Sequence, residues 1–167
     1  TGTNVTGIGT LAWSSPGNIT TVGSPYATAS VGSGVTTNYL KGSNYGFSIP
    51  TGATITGITV TINRSSSGSS SPLIRDNRVS LVKAGTVQST NKANTTTNWP
   101  GSLGTVTYGG SSDLWGTTWT EADINNSGFG VVLSVANSNS FSRTATVDYI
   151  QVTISYTSTS TPSVSTQ

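Results

Sequence analysis

The chain has no cysteine, no histidine and no methionine, and only 12 of its 167 residues are charged. Each shortage closes a class of chemistry. Without Cys or His there is no thiol or imidazole catalysis, no Ser-His-Asp triad, no Cys/His zinc site and no disulfide framework. The seven cations, Lys41, Arg64, Arg75, Arg78, Lys83, Lys92 and Arg143, are scattered along the chain. Nucleic-acid binding needs clustered positive charge to displace counterions, so no nucleic-acid partner is expected. No apolar run approaches the roughly 18 residues of a membrane span, so none is expected.

What is present is hydroxyl and glycine: 31 Thr, 28 Ser and 20 Gly. At 7% charge, against about 25% in an ordinary soluble domain, copies of the chain repel one another weakly, which favours self-association. Such a surface suits secreted walls, fibres and virion shells. The first residue is Thr1 and no basic-then-apolar leader is visible, which reads most simply as a processed, exported protein.

Period-2 alternation dominates, in runs rich in Val, Ile, Thr and Tyr. The clearest cover residues 58–62, 79–82, 129–135 and 150–156, each with one apolar face and one Thr/Ser face. Weaker strands are expected over 5–13, 26–31, 36–40, 45–49, 86–89, 103–108 and 141–147. Turn chemistry separates them, as at Ser15-Pro16-Gly17-Asn18, Pro50-Thr51-Gly52, residues 65–72, Trp99-Pro100-Gly101 and Tyr108-Gly109-Gly110. Nine to eleven short strands in this length make an all-β fold, a single antiparallel β-sandwich of jelly-roll type. One short helical turn is expected over 120–125, with Thr120 as N-cap and Asp123 pointing back at the cap amide. Residues 13–156 form the sandwich, 1–12 an N-terminal strand or arm, and 157–167 a Ser/Thr-rich tail.

The motifs Tyr45-Gly46-Phe47-Ser48-Ile49-Pro50-Thr51-Gly52-Ala53-Thr54-Ile55-Thr56-Gly57-Ile58, Asp76-Asn77-Arg78-Val79-Ser80-Leu81-Val82-Lys83 and Asp113-Leu114-Trp115-Gly116 make the chain familiar. So do Trp119-Thr120-Glu121-Ala122-Asp123-Ile124-Asn125 and Val147-Asp148-Tyr149-Ile150-Gln151-Val152-Thr153-Ile154-Ser155-Tyr156. Over residues 13–156 it resembles a family of β-sandwich domains found in phage virion proteins and in exported bacterial proteins of unknown function. The resemblance implies the fold and an extracellular, cell-surface or virion setting, and it brings no catalytic residue.

Physically, Gly57 permits a bulge or a close backbone approach. Around Asp113 the chain reads as a corner in which Trp115 fills the sandwich end. Asp76, Asp113, Asp123 and Asp148 are expected to accept loop amides or pair with arginine, with a calcium site as the sharper alternative. Glu121 and Asp123 read as helix-cap acids rather than a glycosidase pair, so no enzyme activity is expected. Trp13, Trp115 and Trp119 belong in a core; Trp99, before Pro100 in a polar loop, is the candidate for exposure and sugar stacking. Five Asn-x-Ser/Thr sequons begin at Asn4, Asn18, Asn63, Asn94 and Asn125, about the number chance supplies in so hydroxyl-rich a chain.

These features point to a structural subunit that assembles with copies of itself into an extracellular filament or surface layer. Val5, Ile8 and Leu11 would plug a neighbour's sheet edge by strand donation. Val5 and Leu11 share a parity that Ile8 does not, so a bulge at Gly7 or Gly9 is needed for all three to insert together; alternatively the arm folds back on its own sheet. A phage tail or capsid-decoration protein is the alternative function, and a module binding cell-surface glycans the next.

Overall fold

The computed structural model describes residues 1–68 and 74–158, and the tail beyond lies outside it. Among the described residues nine strands form two antiparallel sheets: β1 Gly2–Val5, β2 Ala27–Val31, β3 Tyr39–Ser43, β4 Thr54–Ser66, β5 Ile74–Lys83, β6 Thr86–Val87, β7 Gly104–Gly110, β8 Gly130–Asn137 and β9 Arg143–Thr157. One sheet has the order β1-β3-β8-β5-β6 and the other β2-β9-β4-β7. From β1 onward every step changes sheet except the hairpin from β5 to β6. Setting β1 aside, two four-strand sheets with these orders and crossings are a jelly roll, as the alternation pattern implied.

The inward faces carry the core. Ile58, Val60 and Ile62 of β4 meet Val131, Leu133 and Val135 of β8 and Val79 and Leu81 of β5, all fully buried. Trp13, Trp115 and Trp119 are buried too, as expected. Trp115 donates its ring N–H to the Ile58 carbonyl at 2.9 Å, and its amide is held by Asp113 at 2.8 Å, which makes the expected corner. The short helix α1, Glu121–Asn125, opens with a reciprocal capping box between Thr120 and Asp123. A 3-10 turn, Pro16–Thr20, forms where a simple turn was expected.

Three bulges shape the sheets, and one of them divides β9 in the sequence pattern. Register shifts fall between Ile55 and Gly57, between Asn63 and Arg64, and between Asp76 and Arg78. At the first, a side chain on Gly57 would collide with the Gly110 carbonyl, so only glycine fits. At the second, Asp148 is the extra residue in β9, so the inward parity flips from Ala145 and Val147 to Ile150 and Val152. The flip splits one 15-residue strand into two apparent runs in the sequence. Residues 45–49 form no strand; Ile49 is clamped at both its N–H and its C=O by the Asn125 side chain, at 2.8 and 2.9 Å. The run over 5–13 also stops at Val5, because Gly7 and Gly9 adopt φ of 119° and 58° and turn the chain.

Between the sheets, near one end, sits a buried ion pair: Arg64 of β4 donates to Asp76 of β5. The same carboxylate accepts from the Trp99 ring N–H at 2.8 Å, the Tyr108 hydroxyl at 2.7 Å and the Asn94 amide at 2.9 Å. The guanidinium lies 4.6 Å from the Trp99 ring centroid. Breaking a buried pair from one side leaves the other charge stranded, at a cost of about 3–5 kcal/mol. Asp76→Asn is therefore expected to lower unfolding free energy by about that amount in urea titration. The Arg64→Met/Asp76→Asn double variant should cost less than the two singles together, because neither charge is then left alone. A loss under about 1 kcal/mol for Asp76→Asn would contradict this picture.

Candidate functional site

The arm folds back on its own sheet. β1 pairs antiparallel with β3, Thr3 opposite Lys41 and Asn4 opposite Leu40. Its side chains bury little: Val5 is 36% exposed and plugs nothing. After Gly7 the chain crosses to the outer face of the five-strand sheet, where Ile8 packs on Tyr39, Val82 and Val132. Leu11 then bridges to Thr37 and packs against the main core. The expectation of one shared groove for Val5, Ile8 and Leu11 is thus corrected: positive φ at Gly7 and Gly9 sends them to three different surfaces. Ile8 and Leu11 are the arm's apolar anchors, and β1 adds backbone hydrogen bonds.

Trp99 requires a second correction. It is 1% exposed, its ring N–H spent on Asp76 and its amide on the Ile74 carbonyl, so no face is offered to a sugar. A polar loop suggested exposure; the buried carboxylate that draws the indole inward comes from a distant strand.

The four aspartates are spent separately. Asp76 serves the inter-sheet cluster, and Asp148 accepts the Gly23 amide at 2.7 Å. Asp113 pairs with Lys92 at 2.7 Å, and Asp123 with Lys83 at 2.9 Å. The Lys92 hydrogen bond holds the Asp113 carboxyl below its ordinary value. For Asp123, burial pulls upward, but the Thr120 amide and Lys83 outweigh it and the net shift is downward. Among the described residues no three acidic, Cys or His side chains come together to hold a metal. None of the described helices is long and apolar enough to cross a membrane.

The sequons differ in accessibility. Asn94 is exposed, its side-chain oxygen taking the Thr96 and Thr97 amides. Asn125 is exposed but its amide group is the clamp on Ile49. Asn4 and Asn18 are half-buried in hydrogen bonds to Trp13 and Tyr26, and Asn63 lies within β4 with its side-chain oxygen buried.

Two features escaped sequence reasoning. One is a cavity of about 410 Å³ at the side of the sandwich, lined by Ile19, Val22, Tyr45, Phe47, Ile150 and Val152. The other is the burial of the Arg64–Asp76 cluster between the sheets: arginine or amide pairing was expected of Asp76, but not its place in the core or Arg64 as its partner. The second had a visible signal, since Arg64 stands in phase with inward-facing Ile58, Val60 and Ile62. No family model, curated protein or solved structure matches the chain.

Burial, reinforced by the neighbouring Asp76 charge, pushes the Tyr108 hydroxyl well above its ordinary value, and burial alone does the same for Tyr45. A raised folded value means that stability is fully present below the unfolded tyrosine value of about 10 and is lost as pH rises above it. The urea midpoint should therefore hold from about pH 7 to 9 and fall above about pH 10, less steeply in Tyr108→Phe. A midpoint unchanged at about pH 11.5 would contradict the burial of these hydroxyls.

Proposed function

We propose that this chain is a non-enzymatic, exported structural subunit that assembles with copies of itself into an extracellular filament or surface layer by exchanging its N-terminal arm. The observation that carries the reading is the way the arm is held. Its strand lies at a sheet edge, buries little side-chain surface, and is anchored by two apolar residues, Ile8 and Leu11, in slots formed by the rest of the sandwich. An identical arm from a neighbour makes the same contacts, so exchange costs no native interaction. Giving the arm to one copy and taking it from another is a head-to-tail contact, which does not close and runs on as a fibre. The arm has no charged side chain, and the low charge of the whole chain lets copies approach. Composition favours a setting outside the cell, on a surface or in a virion.

The test locks the arm at home. Thr3 and Lys41 are opposite one another across β1 and β3, about 4.5–5.5 Å apart at Cα, which a disulfide can span. In the otherwise cysteine-free chain, Thr3→Cys/Lys41→Cys should form fibres when reduced and stay monomeric when oxidised before assembly, by negative-stain microscopy and light scattering. Removal of residues 1–12 should also abolish fibres. Equal fibre formation in both redox states, or fibres from neither the native chain nor the reduced variant, would overturn the proposal.

A further inference from the structure

The cavity at the side of the sandwich forms where residues 149–152 of β9 are packed by the 3-10 turn and the loop through Val22 rather than by a strand. Because it lies at the margin of the sheet, side chains of both parities reach it. Ile150 and Val152 come from the inward face, Tyr149 and Gln151 from the outward one. Asn44, Tyr45 and Phe47, in the segment after β3, close the opposite wall. Its volume of about 410 Å³ falls in the range of roughly 300–1,000 Å³ in which proteins hold small ligands.

None of the lining side chains is charged, so an ion entering the cavity would lose hydration without gaining a counter-charge. One wall is aromatic and stiff. The Tyr45 and Phe47 rings lie 5.9 Å apart, and they pack on Phe129 at 6.4 and 6.0 Å. Phe129 is itself held edge-on by Trp119 at 5.5 Å. Unspent polar groups are ordinary on an open surface, but here four converge on one cavity. Thr21, Asn44, Tyr149 and Gln151 line it, and their side chains make no hydrogen bond to any described residue. Asn18, in the same turn, and Asn125, which clamps Ile49, are by contrast committed to backbone partners. The Tyr45 hydroxyl lies against Gly42, also a lining residue, buried and without a partner. A phenylalanine would pack there without stranding a hydroxyl, which favours a guest that hydrogen-bonds over an apolar one.

An uncharged ring with C–H faces and a belt of hydroxyls matches these walls. We infer that the cavity binds one neutral pyranose ring of a glycan. The C–H face of the sugar, slightly positive, packs on the negative face of the Phe47 ring. Its hydroxyls take the amides of Asn44 and Gln151 and the hydroxyls of Thr21 and Tyr149. Phe47 thus supplies the stacking surface that buried Trp99 does not. This site goes beyond assembly and does not depend on it. Of the arm only Thr1 reaches the cavity, and a neighbour's arm brings the same residue.

Saturation-transfer NMR on the full chain reads weak binding whether the protein is monomeric or fibrous. The probes are the methyl glycosides of glucose, galactose, mannose and N-acetylglucosamine. Glucuronate is the charged control, and cyclohexanol the ring without a hydroxyl belt. At least one neutral glycoside should receive saturation at its ring C–H protons, titrate to a plateau, and bind more tightly than either control. Phe47→Leu, which keeps apolar bulk and removes the ring, should raise its dissociation constant about tenfold. Asn44 and Gln151 are exposed, so their variants leave the core intact. Asn44→Gly, suited to the positive φ there, and Gln151→Ala should each raise the constant about threefold or more. Phe141→Ala, at the most exposed aromatic among the described residues, should change nothing. Absence of transfer to every glycoside would overturn the inference. So would cyclohexanol binding as well as the sugars, which makes the site a merely apolar hollow, or glucuronate doing so. Binding lost in Phe141→Ala but kept in Asn44→Gly and Gln151→Ala would place the contact elsewhere and overturn it too.

Discussion

The pair Arg64–Asp76 is the constraint around which the rest of the molecule is arranged. It joins the two sheets directly, β4 to β5, where neither strand can hydrogen-bond to the other. One carboxylate gathers a guanidinium, an indole, a phenol and a backbone amide, and so ties down β7 and the loop before it as well. A buried carboxylate is tolerated only when it gathers partners in this way. That requirement fixes how the sheets face one another at this end more tightly than apolar packing alone would. Bulges in β5 and β9 lie beside the pair, and they reset the alternation that carries the strands onward.

One of those bulges determines what β9 presents. Before Asp148 the strand is covered by β2; after it, the inward face changes parity and the β2 side has no strand partner. The short β2 is continued by the 3-10 turn and its loop, which drop Ile19 into the core and leave Val22 outside. The cavity is the space between that loop, the aromatic residues after β3 and residues 149–152 of β9. The association surface proposed for this chain lies at the other sheet's edge, where β1 is held mainly by backbone bonds.

Much of the fold was legible from alternation alone. Ile58, Val60 and Ile62 announce β4, and Thr120 with Asp123 announces the helix cap, because both signals are local. The rest was hidden because it is not local. Arg64 in phase with three buried residues marks an inward charge, but its partner lies across the sandwich. Trp99 looked accessible because its neighbours are polar; its burial depends on Asp76, 23 residues earlier. β9 looked like two strands because a bulge interrupts the period. Its pairing with β2 ends at Val147 because β2 begins at Ala27, which no stretch of β9 encodes. Ile8 and Leu11 were recognisable as apolar anchors, whereas their divergence depends on the two positive-φ glycines between Val5 and Leu11.

The central claim is that the N-terminal arm is held loosely enough to be exchanged between copies, and amide hydrogen exchange along β1 tests it most directly. In dilute protein the β1 amides bonded to β3 should exchange much faster than amides in the middle of β8. Assembly should slow the β1 set and leave the β8 set unchanged. Amides of β1 as well protected as those of β8 in dilute protein would mean that the arm does not leave its own sheet.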